Sequence, residues 1–257
     1  MAIGKATVVL ALLLLAACGG GRGGSPHELL PDLDQSPPSA ISVAERSGRE
    51  RLVFLSSVEN VGAGPLVVGG RRNAAEQEMT ATQLVRRSDG STARLPLRAR
   101  LRFVVSESHR HWHLLGFETY ELRTVDGGTL GRDHKTGFCL GDRYDASVRT
   151  RLPGEPARAF WTQECGRGQT ERRRILEGIS PGFGDDYVPL LEGQYIDVTS
   201  LAPGHYVLVH RVNFDRDLRE SDYANNAASA LLELVRDSAG KASFSVLRTC
   251  PDAPACR

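Results

Sequence analysis

Little in this chain favours a helical fold. Only two methionines occur among its 257 residues, and the Ala-Leu-Glu-Lys periodicity of a bundle is scarce, which argues against that architecture. Excess charge is also missing. The 32 Lys and Arg meet 31 Asp and Glu, a net of +1. Domains that hold nucleic acid by bulk electrostatics carry a clear basic excess, so that class of partner is excluded. No apolar run after residue 18 is long enough to span a bilayer. No internal repeat is visible, and no cysteines stand at C-x-x-C spacing, which argues against a zinc ribbon. What remains is 40% hydrophobic and 25% charged, too apolar for a disordered chain. The 27 glycines and 13 prolines suggest many turns.

Met1 to Cys18 reads as a targeting segment. Lys5 precedes an apolar run from Ala6 to Ala17, which has the length of a signal-peptide core. It ends Leu15-Ala16-Ala17-Cys18 with glycines beyond, similar to a bacterial lipobox, whose cysteine is lipidated and becomes the mature N-terminus. Ordinary signal cleavage, with Cys18 incidental, is the bland alternative. The expected organisation is a lipoprotein signal peptide over 1–17, a glycine-rich flexible tether over 18–28 and one folded domain over 29–257. Such a protein is exported and held by its lipid in the bacterial envelope, on the periplasmic or cell-surface face. It does not cross the membrane.

Segments of alternating or β-branched residues, bounded by turn residues, predict strands at Arg51–Val61, Pro65–Val68, Thr80–Arg86, Leu97–Val105 and Phe117–Val125. Others follow at Gly193–Thr199, His205–Phe214, Ala228–Val235 and Ala242–Arg248. The predicted fold is all-β, an antiparallel sandwich with long functional loops. Arg143 to Gly184 lacks strand periodicity and reads as one such loop. Between Arg143 and Arg174 it holds eight arginines against four acids. If it rims a site, it disfavours highly cationic ligands. Export implies an oxidising compartment, so four cysteines read as two structural disulfides, Cys250–Cys256 around a short loop and Cys139–Cys165 across a long one.

The sharpest local feature is Ser108-His109-Arg110-His111-Trp112-His113. In a strand, His109, His111 and His113 share one face, with neighbours roughly 6.5–7 Å apart. Three imidazoles so placed can converge on one metal at about 2 Å each. Neutral imidazole suits copper or zinc, and Cu(II) favours nitrogen and oxygen donors with positions left open. A solvated polar strand is the bland alternative.

From here the sequence resembles the lysyl oxidase family, copper amine oxidases with a lysine tyrosylquinone cofactor. The histidine ladder is followed by Phe117 and Tyr120-Glu121-Leu122, then His134-Lys135 and Phe138-Cys139-Leu140 with Asp142. Gly178-Ile179-Ser180-Pro181-Gly182, Asp185-Asp186-Tyr187 and Ile196-Asp197-Val198-Thr199 come next. Glu220 to Asn226 closes the series, and Leu30-Pro31-Asp32-Leu33 matches near its start. The resemblance implies that 29–257 is a lysyl oxidase-like catalytic domain. It implies Cu(II) on His109, His111 and His113, and a quinone made by joining Lys135 to the oxidised ring of Tyr187. A primary amine, peptidyl lysine included, would condense with that quinone, lose an α-proton and leave as an aldehyde. O₂ would be consumed, with ammonia and hydrogen peroxide released. Two departures stand out. Lys135 and Tyr187 are farther apart in sequence than in animal members, and Thr119 occupies the position of a family histidine regarded as a proton acceptor. Asp185, Asp186 or another carboxylate could take that role.

Glu220, Asp222, Asn225 and Asn226 group hard oxygen donors of the kind Ca²⁺ takes. The family resemblance adds Asp32 and the carbonyl of Leu33, implying a structural calcium ion that pins the N-terminal segment. An Asx-rich turn is the alternative. Two other functional classes use the histidines alone, a non-catalytic copper-binding envelope lipoprotein and a zinc or iron enzyme. The Lys135 and Tyr187 pair separates the oxidase from the first, and metal analysis with EPR separates it from the second, because Cu(II) gives a signal and Zn(II) does not.

Overall fold

The computed structural model describes residues 25–106, 110–148, 150–162 and 164–257. Cys18 and His109 therefore lie outside the described residues. Among the described residues the chain forms strands and no helix. The first six are β1 (Glu28–Leu29), β2 (Leu33–Gln35), β3 (Ser39–Arg46), β4 (Arg49–Asn60), β5 (Leu66–Arg71) and β6 (Glu78–Arg87). Then come β7 (Thr92–Val105), β8 (Arg110–Leu114), β9 (Glu118–Thr124), β10 (Thr129–Arg132), β11 (Tyr144–Asp145) and β12 (Arg174–Ile179). The last are β13 (Phe183–Tyr187), β14 (Tyr195–Asp197), β15 (Gly204–Val212), β16 (Ala227–Arg236) and β17 (Ala242–Cys250).

These strands build three antiparallel sheets, as the alternating patterns predict. One runs β12-β5-β6-β7-β8 with β1 on β6, and one runs β10-β9-β15-β16-β17. The third is organised on β4, which pairs with four partners. Its first half lies between β3 and β14, its second half between β2 and β13. The inward faces form one apolar core in which Phe54 of β4 meets Tyr120 of β9 edge to face at 5.0 Å. His210 of β15 is fully buried against both rings, at 4.7 and 4.5 Å. Burial pushes its pKa down to about 3, so it packs as a neutral ring.

The stretch from Arg143 to Gly184, expected as loop, contains β11, β12 and the start of β13. Glu177 and Gly178 break the apolar alternation of β12, and β13 is Phe-Gly-Asp-Asp-Tyr. Local propensity is poor in both. Pairing with β5 and β4 overrides it, as sheet context commonly does. The two expected disulfides, Cys139–Cys165 and Cys250–Cys256, are present.

One register detail positions the site. Tyr187 of β13 pairs with Ser56, and Tyr195 of β14 pairs with Val53 on the same β4. Residues 188–194 must therefore leave the sheet edge and return within a few residues of β4. Gln194 pins the base of this excursion. Its buried Nε2 donates to the Phe54 carbonyl at 2.8 Å and to the Tyr187 carbonyl at 2.6 Å. We expect Gln194→Ala to cost about 1–3 kcal/mol in urea unfolding, since two main-chain acceptors lose their donor. An unchanged midpoint would mean that the loop base is not held this way.

Candidate active site

Strand β8 alternates as the histidine spacing predicts. Trp112 turns into the core, 5.6 Å from Phe103 in an edge contact. His111 and His113 turn the other way with ring centroids 4.7 Å apart, both buried. His113 Nδ1 lies 2.5 Å from the Thr136 carbonyl. Acting as donor there, Nδ1 sets the tautomer in which Nε2 carries the lone pair that a metal would use. Such orientation by a carbonyl is the usual support of a metal-bound imidazole. Among the described residues no group of three His, Cys, Asp or Glu side chains forms a metal cluster. The two described rings of the expected triad nevertheless fit a metal that prefers nitrogen donors.

Lys135 reaches this place on a segment strapped at several points. Phe138 exchanges both backbone hydrogen bonds with Leu114 at the end of β8. Between them the chain turns at Gly137, φ +69°, where an added Cβ would sit 2.5 Å from the Leu114 carbonyl. Asp133 accepts from the backbone N–H of Tyr120 and of Lys135, each at 3.0 Å. His134 donates its backbone N–H to the Gly193 carbonyl at 2.8 Å. The Cys139–Cys165 bridge and the Trp112 N–H to Cys165 carbonyl bond close the other side of β8.

These straps bring Lys135 and Tyr187 together. The Lys135 Nζ stands 5.2 Å from the Tyr187 ring centroid and 5.2 Å from that of Phe138. One cavity of about 240 Å³ is lined by His111, His113, Lys135, Asp186, Tyr187 and Leu191. Arg143 is the arginine of the basic loop that lines it among the described residues. The Tyr187 hydroxyl donates to Asp185 Oδ2 at 2.7 Å, and Asp185 also accepts from the Gly141 N–H at 3.0 Å. Arg143 lies beside it, with Nε 3.3 Å from Oδ1.

Desolvation dominates the electrostatics. It pushes Lys135 down to about 8, against the opposing pull of Glu118, Glu192, Asp133 and Asp185. It pushes Asp185 up to about 7, with Arg143 as the largest opposing influence. Tyr187 is driven well above its ordinary value by burial and then by the neighbouring Asp185. A further acid, Glu118, was not singled out by spacing. It is buried, accepts from the Ser56 and Tyr120 hydroxyls at 2.8 and 2.7 Å, and is pushed up by burial to about 7. A glutamate beginning the alternating strand Glu118–Thr124 was its signal in the sequence. Thr119 lies on the opposite face of that strand from Glu118 and Tyr120.

The second expected cluster is also assembled in part. Asn225 Nδ2 donates to Asp32 at 2.7 Å, and the Leu33 N–H donates to Glu220 at 2.9 Å. Asn226 Nδ2 donates to the other Glu220 oxygen at 2.6 Å. The side-chain oxygens of Asn225 and Asn226 are buried without a hydrogen-bond partner. Asp222 is exposed and accepts from the Ala224 N–H at 2.8 Å, an Asx turn.

Fold and site together define an all-β sandwich protein with a cavity lined by imidazole, amine and phenol. A family model described as lysyl oxidase matches residues 71–241. The chain belongs to the lysyl oxidase family. It is 30% identical over 132 residues to lysyl oxidase homolog 4 of Mus musculus, covering 51% of this chain and 15% of that protein. With lysyl oxidase homolog 2B of Danio rerio the identity is 26% over 216 residues, 81% of this chain and 26% of the relative. Lysyl oxidase homolog 2 of Gallus gallus is 26% identical over 214 residues, again 81% of this chain and 25% of the relative. The chain thus spans about a quarter or less of these curated relatives.

Glu118 gives a pH test. The folded protein keeps its proton up to about pH 7, whereas the ordinary value is 4.5. Its contribution is fully present below 4.5 and is lost as pH rises to 7. Thermal unfolding of metal-free protein between those limits should therefore lose less stability in Glu118→Gln, by up to about 3 kcal/mol at neutral pH. Parallel curves for variant and parent would remove the buried acid from the account.

Proposed function

We propose that this chain is an exported copper and quinone amine oxidase that converts primary amines, peptidyl lysine among them, to aldehydes with release of ammonia and hydrogen peroxide. The observation that carries the reading is the Lys135 Nζ lying 5.2 Å from the Tyr187 ring centroid, in the cavity that His111 and His113 also line. A metal-buffering envelope lipoprotein would need the histidines alone, and nothing in that role calls for a desolvated lysine against a buried phenol. The lipobox-like Leu15-Ala16-Ala17-Cys18 supports a lipid anchor at Cys18.

Copper would be held by His109, His111 and His113, with His113 fixed by its contact to Thr136. When bound, Cu(II) with O₂ supplies the oxidation of a phenol ring, and the lysine tyrosylquinone made from Lys135 and Tyr187 supplies the electron sink for amines. The chain does the rest. Asp185 Oδ2 holds the Tyr187 hydroxyl proton and is placed to accept it. Lys135, held near pH 8, keeps a useful fraction of neutral amine for addition to the ring. The strand pairing of Tyr187 with Ser56 keeps the phenol still while this happens.

A calcium ion would sit among Asp32, the Leu33 carbonyl, Glu220, Asp222, Asn225 and Asn226. The unpartnered oxygens of Asn225 and Asn226 support it, since a cation would satisfy both. Its role would be to tie the segment before β2 to the turn before β16.

Peptide mass spectrometry on copper-loaded protein should find Lys135 and Tyr187 in one covalently joined, oxidised product. Asp185→Asn should slow its appearance about tenfold or more at unchanged copper content. A copper-loaded parent without the joined peptide would remove the oxidase assignment. Separately, millimolar Ca²⁺ should raise the parent's Tm by several degrees, equivalent to about 2.7 kcal/mol at a hundredfold excess over Kd. Glu220→Gln should lose most of that rise. Equal shifts in both proteins, or none, would dispose of the calcium site.

A further inference from the structure

Beyond Leu191 lies a second, larger cavity of about 770 Å³. Leu191 lines both spaces, and His134 and Gly193 carry the wall of the larger one up to the Lys135 segment. On the far wall Arg51 of β4 lays its guanidinium over the Tyr195 ring, 4.0 Å from the centroid. Arg51 forms no ion pair with a carboxylate among the described residues, and its Nε is buried without a hydrogen-bond partner. That Nε is closed to a ligand, so the terminal Nη groups are the donors that Arg51 offers to the cavity. Stacking on Tyr195 holds the guanidinium plane and leaves its edge for a planar acceptor. A carboxylate matches that edge with two parallel hydrogen bonds.

We propose that the larger cavity is the substrate pocket of the oxidase and that Arg51 receives a carboxylate carried by the substrate. The preferred amines are then those with a primary amine at one end and a carboxylate at the other. This rests on the oxidase reading of Lys135 and Tyr187. Glu45 and Arg46, of opposite charge and adjacent in sequence, also line the cavity, and the support comes from the other two charged residues of its wall, Glu192 and Arg51. Glu192 also lines the cavity and stands close enough to Lys135 to act on its charge. A substrate ammonium is thus attracted toward the Lys135 end, and a carboxylate toward Arg51. A simple monoamine leaves Arg51 unsatisfied, and a polyamine places a second cation beside it.

The test compares ω-amino acids from 4-aminobutanoate to 8-aminooctanoate with 1-aminoalkanes of matched length, reading peroxide release by copper-loaded protein. At least one amino acid should exceed its partner by about tenfold in kcat/KM, chiefly through KM. Arg51→Gln should abolish this ratio and Arg51→Lys should keep part of it. The ratio is taken within one preparation, so partial misfolding does not affect it. No preference in the parent, or one that survives Arg51→Gln, overturns the proposal. If no amine is turned over, the oxidase reading fails instead, and calorimetric titration with hexanoate decides the Arg51 site by itself. Binding that Arg51→Gln removes supports the site. Absent binding, or binding equal in parent and variant, overturns it.

Discussion

The pairing of β13 with the second half of β4 governs the whole site. It sets Tyr187 opposite Ser56, whose hydroxyl is already committed to Glu118. It turns Asp185 and Tyr187 to the same face, where the phenol meets its acceptor. Because β14 continues along the same edge of β4, it also forces residues 188–194 outward. That excursion brings Leu191 between two cavities and Gly193 against His134, which in turn seats Lys135. A slip of one residue between β13 and β4 would turn Tyr187 to the opposite face and dismantle this arrangement.

Burial is the second organising influence, and it acts on acids and the amine in opposite senses. Glu118, Asp185 and Glu177 are all pushed up, and Lys135 is pushed down. Both movements favour neutral forms. Glu177 is the extreme case, with both carboxyl oxygens buried and without hydrogen-bond partners. Desolvation, with Asp185 nearby, keeps its proton on. An interior of this kind brings a lysine and two acids, Asp185 and Glu118, to exchange protons near neutral pH, where an exposed lysine and exposed acids would all be charged.

Much of this was legible in the sequence. The alternation of Phe117–Val125 and the Asp126-Gly127-Gly128 turn are found as β9, a hairpin turn and β10. The period-two placement of His111 and His113 on one face follows from strand geometry alone. Residue order could not reveal that Lys135 and Tyr187 meet, because their proximity depends on pairings at distant positions such as Phe138 with Leu114 and Tyr187 with Ser56. The family resemblance supplied that link where spacing could not. β12 and β13 escaped notice because glycine and buried acids occupy positions that apolar residues would mark. Glu118 and Arg51 escaped for a related reason: a charged residue in a strand signals solvent unless its surroundings are known.

The disulfide between Cys139 and Cys165 lies wholly inside the stretch that runs from Lys135 to Tyr187. Joining those two residues would enclose one covalent ring within another. A chain so closed cannot fully extend even when denatured, and each closure lowers the entropy of the unfolded ensemble, the larger loop more than the smaller. Maturation of such a protein would be a topological event as well as a chemical one. The unjoined chain could unfold and refold around its two disulfide rings alone. The joined chain would carry the Lys135 to Tyr187 contact into every denatured state as a ring around the Cys139–Cys165 ring, with Cys250–Cys256 a separate third closure.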